Sequence, residues 1–228
     1  CFHHIPDRDR DFGKVRVWGT VGWIFAGILI GQHLLINYAG GDAANAESAK
    51  VFAGYADAFR LSAMIGGAMG LYCFLLPETS PQPKAEDNAA LAAIGEVKRQ
   101  PLLTLFLLAV PISCIHQFYF VHTAGFLGEV QKQFNAGDFA SSINMIFGIG
   151  GGGLMTVGQI SEIVVLALIP FLAVKLSRKQ LLLIGLIAYA LRMAIFAYAP
   201  GLLGDGAMPV VILGVALHGL CFGCFIFV

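Results

Sequence analysis

Residues 154–174 read Leu-Met-Thr-Val-Gly-Gln-Ile-Ser-Glu-Ile-Val-Val-Leu-Ala-Leu-Ile-Pro-Phe-Leu-Ala-Val, and Glu162 stands near the middle. The run is long and apolar enough to cross a bilayer, whose ~30 Å hydrocarbon core takes about 20 residues of helix. An ionisable group at that depth costs roughly 2.5–3.5 kcal/mol on insertion scales. It persists where it faces a bundle interior, a water-filled path or a partner. Such a residue points to a membrane protein that handles a solute or a proton.

Composition points the same way. Hydrophobic residues make up 57% of the 228 and charged residues only 12%, against about 25% charged in an ordinary soluble domain. The net charge is zero, which gives no electrostatic footprint for nucleic acid. Of the five cysteines, Cys73, Cys114, Cys221 and Cys224 lie in apolar runs and form no disulfide framework. Six stretches qualify as spans: 17–36, 58–76, 102–127, 146–174, 181–199 and 208–228. The pairs Gly27/Gly31 and Gly66/Gly70, four residues apart, suit close helix–helix contact or occur by chance in a Gly-rich chain. The chain opens on Cys1 and closes at Val228 within an apolar run, so a longer protein is expected around it.

Loop charge predicts orientation. Segments 1–16, 77–100 and 175–180 hold ten Lys and Arg residues, whereas 37–57, 128–145 and 200–207 hold two, Lys50 and Lys132. The positive-inside rule then places 1–16, 77–100 and 175–180 in the cytoplasm of a multi-pass inner-membrane protein. Within 77–100, the Pro-rich start excludes regular helix. The spacing of Leu91, Ile94 and Val97 suits either a short amphipathic surface helix over 85–99 or an unstructured loop.

Several polar residues inside the spans are candidates for a site. Gln159 and Glu162, three apart, share one helix face; Glu162 is the candidate for loading and releasing a proton. Arg16, Thr20 and Trp23 form one stripe on the first span, and Arg16 either snorkels to headgroups or faces a solute. Trp23 faces lipid or stacks on a flat ligand. Arg192, with apolar residues on both sides, is expected to bond carbonyls of a neighbouring helix. Gln117 can donate and accept to a ligand, while His116 and His122 are interfacial or relay protons. His218, one turn before Phe222, is the next titratable candidate should Glu162 not suffice.

Other patterns carry less. The run 148–153 contains G-x-G-x-x-G, but it opens an apolar span rather than following a strand, so bending or tight packing is expected instead. Cys221 and Cys224 match C-x-x-C without polar partners, which favours packing. His3 and His4 beside Asp7, Asp9 and Asp11 offer at most an adventitious metal site. No catalytic constellation, no resident metal and no cofactor motif is present, so an enzyme is not expected.

Three segments resemble a known family. Phe12-Gly-Lys-Val-Arg-Val-Trp-Gly-Thr-Val-Gly-Trp23 resembles the entry to the fifth helix of the nucleoside–proton symporters of the major facilitator superfamily. Gly158-Gln-Ile-Ser-Glu-Ile163 with Leu168-Ile-Pro-Phe-Leu172 is similar to their eighth helix, and Leu191-Arg-Met-Ala-Ile-Phe-Ala-Tyr198 to their ninth. Order and spacing agree across nearly the whole chain. The resemblance implies an all-α, polytopic transmembrane bundle of the major-facilitator type, with six of twelve helices present, five to ten. Residues 1–76 would end the N-terminal half-bundle, 77–100 would be the central cytoplasmic linker and 101–228 would start the C-terminal half. It further implies a monomeric, proton-coupled nucleoside symporter with a central cavity reached alternately from each side. Arg16, Thr20, Trp23, Gln117, Gln159, Glu162 and Phe222 would bind substrate, and Glu162 would couple the proton. Two positions depart from the family pattern: Phe120 replaces an Asn, and Gly223 replaces an Asp that follows Phe222. These departures leave room for a symporter of a sugar or another polar metabolite, or for a transport-inactive sensor or scaffold.

Overall fold

Every described element is helical, as expected where apolar surroundings leave backbone N–H and C=O groups only each other to bond with. The computed structural model describes residues 8–41, 49–78, 94–133, 137–149 and 153–226. Its helices are α1 (Arg8–Asn37), α2 (Ala49–Cys73), α3 (Leu102–Gln133), α4 (Gly137–Phe147), α5 (Thr156–Lys175), α6 (Arg178–Leu203), α7 (Ala207–Ala216) and the short α8 (His218–Cys221). A 3-10 turn, Gly204–Gly206, joins α6 to α7, and a π turn, Phe222–Ile226, follows α8. The His3–His4 group, most of the linker and Gly150–Gly152 lie outside the described residues. Of the expected surface helix, only one turn at 94–97 is described, with Glu96 and Arg99 paired at 2.9 Å.

The expectation of six spans in a twelve-helix plan is overturned. Among the described residues, three helical stretches are long and apolar enough to cross a membrane: Val15–Asn37, Leu102–Gln131 and Arg178–Phe225. The reasons are local. The second predicted stretch belongs to α2, which carries Asp57 and Arg60 and is too polar over the required length. The fourth is not one helix: α4 ends at Phe147, Gly148 takes φ +87°, and α5 begins only at Thr156, leaving an apolar piece Thr156–Ile169. The fifth and sixth fall within the single stretch Arg178–Phe225. The chain is nonetheless membrane-embedded and multi-pass. Large side chains such as Phe106, Leu107, Phe118 and Val121 on α3 are exposed along its length, a surface that suits lipid rather than water.

The chain divides into two compact units, 1–58 with 124–228, and 59–123. In the first, α1 packs on α4 and α5, α5 on α7 and α8, and α6 on α7, α8 and the π turn. Leu34, Leu35, Val51 and Ile149 form one core, and Ile169, Leu181 and Cys224 another. Cys224 thus packs, as its apolar setting suggests. The second unit comprises the later part of α2, the 94–97 turn and the first part of α3. There Ile94, Val97, Lys98, Leu103, Phe106 and Leu107 surround a cavity of about 370 Å³.

Start and stop signals are read from side chains. Ser177 caps α6 in a reciprocal arrangement with Gln180, whose amide oxygen accepts from Ser177 N–H at 2.9 Å. The Gln32 amide on α1 donates to the Met145 and Ile146 carbonyls at 2.9 and 3.0 Å. Those carbonyls belong to the last turn of α4 and have no partner within the helix. One residue before Gln32, backbone meets backbone: Ile149 N–H donates to the Gly31 carbonyl at 3.1 Å. A Cβ on Gly148 would lie 2.2 Å from Gly31 C. Of the glycines paired by spacing, Gly31 is therefore a close contact, while a Cβ on Gly66 or Gly70 would meet nothing within 4 Å.

Gly148→Ala is accordingly expected to destabilise the fold by about 1–3 kcal/mol through overpacking. Gly22→Ala, where an added Cβ meets nothing within 4 Å, should stay within about 0.5 kcal/mol. Thermal unfolding of both variants in one detergent checks the contrast, and equal melting temperatures would contradict it.

Candidate functional site

Helix spacing puts Arg16 and Thr20 one turn apart on α1, facing α5. On α5, Ser161 and Glu162 are consecutive, so their side chains leave the helix about 100° apart and serve different neighbours. The Ser161 hydroxyl donates to the Ala216 carbonyl at the end of α7 and accepts from Gly219 N–H at 3.0 Å in α8. One side chain thereby bonds both sides of the junction between α7 and α8. Gly219 permits this approach, because a Cβ there would sit 2.4 Å from the Ser161 carbonyl oxygen. With α8 pinned to α5, His218 is held beside Glu162.

A continuous polar line results. Arg16 Nη1 donates to Thr20 Oγ1 at 3.3 Å, and Thr20 Oγ1 donates to Glu162 Oε1 at 2.8 Å. From the other side, His218 Nε2 lies 3.4 Å from Glu162 Oε2, and Arg192 Nη1 lies 3.2 Å from His218 Nδ1. Thr20, Glu162, His218 and Arg192 are all buried, at 3%, 5%, 1% and 0% exposure. The Arg16 guanidinium lies 5.2 Å above the Phe222 ring, and Arg192 lies 5.0 Å from the Tyr189 ring centre. Such contacts favour a cation shielded from water. The carboxylate thus accepts from Thr20 on one oxygen, has the His218 ring beside the other, and is flanked by two guanidiniums at one remove.

The structure brings together Arg16, Thr20, Glu162 and Phe222 of the residues predicted from sequence. Gln159 is buried one turn before Glu162 on α5. Trp23 is 60% exposed on α1. Gln117 is exposed on α3 and belongs to the other unit, where His116 packs edge-on to Phe120 at 5.0 Å and His122 against Phe118 at 4.5 Å. Sequence reasoning expected Arg192 to bond neighbouring carbonyls; its Nη1 lies 3.2 Å from the His218 ring nitrogen. Depth within an apolar run marked Arg192 as unusual, but nothing local to residue 192 names a partner 26 residues away. No group of three or more metal-ligating side chains occurs among the described residues.

The space beside Gly223 is filled. A Cβ there would lie 2.7 Å from Val165 Cγ1 and 3.9 Å from Ile169 Cδ1, both on α5. An acidic side chain at this position would enter an apolar contact rather than the polar line. Gly223→Asp is therefore expected to destabilise the protein by about 1–3 kcal/mol through overpacking alone. Adding Val165→Ala should recover part of that loss. Thermal unfolding of the single and double variants decides, and a Gly223→Asp protein as stable as wild type would contradict the packing.

Comparison with known proteins agrees with this membrane setting. The sequence profile described as nucleoside H+ symporter matches residues 1–228, the full length of the chain. A protein of Escherichia coli (strain K12) named "Putative nucleoside transporter YegT" is 27% identical over 233 residues, covering 97% of this chain and 47% of that protein. The chain thus spans about half the length of the curated relative it matches. No solved structure matches it. The chain belongs to the nucleoside H+ symporter family, a family of transporters rather than enzymes.

Proposed function

We propose that the chain forms the coupling region of a proton-driven nucleoside symporter and that Glu162 carries the proton. The observation that supports this most is the burial of Glu162, at 5% exposure, between a Thr20 hydroxyl and a His218 imidazole brought by two other helices. A carboxylate so placed changes its hydrogen bonding when it gains a proton. A solute that bonds one protonation state better than the other links its own binding to the proton's.

The remaining residues supply nucleoside chemistry. Arg16, Thr20 and Glu162 offer donors and acceptors for ribose hydroxyls, Gln159 offers an amide for base edges, and Trp23 and Phe222 offer rings for stacking. Loading and release would alternate between the two faces of the membrane. The filled space at Gly223 favours one further reading, a symporter for another polar metabolite such as a sugar, because the site lacks a second carboxylate there.

Proteoliposomes of the intact protein test both. Wild type is expected to accumulate labelled uridine in a protonophore-sensitive manner. Glu162→Gln, which keeps shape but cannot ionise, should retain uridine exchange and lose accumulation against a gradient. Accumulation that survives in Glu162→Gln would move coupling to another group. Uptake competed by sugars and not by nucleosides would favour the second reading.

A further inference from the structure

The two nitrogens of His218 face groups of opposite character. Nδ1 lies 3.2 Å from Arg192 Nη1, and Nε2 lies 3.4 Å from Glu162 Oε2. A guanidinium carries only N–H donors and keeps its charge in proteins. Nδ1 must therefore accept, which means it holds a lone pair and no proton. The ring proton then sits on Nε2, the nitrogen 3.4 Å from the carboxylate. A second ring proton would set an N–H against the Arg192 N–H at 3.2 Å.

We infer that His218 is a positioning residue, locked by Arg192 as the neutral Nε2–H tautomer, and that it does not itself carry the transported proton. This rests on the reading that Glu162 is the coupling group. The other titratable or charged groups around the pair are consistent with it. Arg16 on α1 reaches Glu162 through Thr20, Tyr189 on α6 lies against Arg192, and Cys221 and Cys224 follow in the last turns.

The lock also assigns which oxygen is protonated. A protonated carboxyl brings its own O–H, and the donor facing it must turn into an acceptor. The locked Nε2–H cannot do so. The Thr20 hydroxyl can, since it rotates freely and has two lone pairs. The proton is therefore taken up on Oε1, the side of α1, while His218 keeps its donor on Oε2.

Nitrogen-15 NMR of histidine-labelled intact protein in lipid reads the tautomer directly, with His218→Gln or His218→Asn assigning the signal. The expected result is a neutral ring protonated at Nε2 throughout pH 6–8. A cationic ring or an Nδ1–H tautomer would overturn the inference. Transport gives a second readout. Glutamine can accept from Arg192 and donate to Glu162 at once, so His218→Gln should still accumulate uridine, at a rate lowered several-fold. Its pH of half-maximal exchange should stay within about 0.3 units of wild type. His218→Leu, which can neither accept from Arg192 nor donate to Glu162, should shift that midpoint measurably. Loss of accumulation with retained exchange in His218→Gln would show that His218 carries the proton. An unmoved midpoint in His218→Leu would show no positioning role. If wild type transports no uridine, the functional reading fails while the tautomer measurement still decides this one.

Discussion

A carboxylate removed from water must be given back hydrogen bonds, and in this chain the donors come from helices remote in sequence. Thr20 lies 142 residues before Glu162 and supplies one donor at 2.8 Å, while His218 approaches the other oxygen at 3.4 Å. Desolvating an unpaired charge costs several kcal/mol, and removing one partner of a buried pair typically costs about 3–5 kcal/mol. The positions of α1, α5 and α8 relative to one another are therefore tied to the state of a single side chain. Arg192, at 0% exposure, extends the same dependence to α6 through the His218 ring.

Close backbone approach makes the polar line possible. Glycines at 31, 148 and 219 let helices meet at distances no Cβ would allow, and the freed backbone groups find partners there. The Ser161 hydroxyl replaces bonds that a continuous helix would make across the junction of α7 and α8. A side chain inserted into a helix ladder is a recognised cause of local bending. Here it brings His218 and Phe222 to the face that meets α1 and α5, with the two rings 6.1 Å apart.

Much of this was legible in the sequence, for physical reasons that differ by residue. Glu162 stands out because its cost in an apolar run is large and local. Arg16, Thr20 and Phe222 were found by helical spacing or by family resemblance. The pairing of Arg192 with His218 was not, because a contact across 26 residues leaves no periodic trace. Span counting failed where composition was a poor guide to continuity. Asp57 looked like a boundary residue but sits inside α2, accepting from Tyr38 and contacting His33 at 3.2 Å. Gly148, at φ +87°, ends a helix within a run that hydropathy alone reads as unbroken.

The central claim is that solute and proton meet at Glu162. The most direct measurement is the number of protons taken up when uridine is added to the purified protein in weakly buffered detergent solution. At a pH where Glu162 is ionised in the free protein, wild type should take up close to about one proton per bound uridine. Glu162→Gln should bind uridine and take up none. The same proton uptake in both proteins would contradict the account.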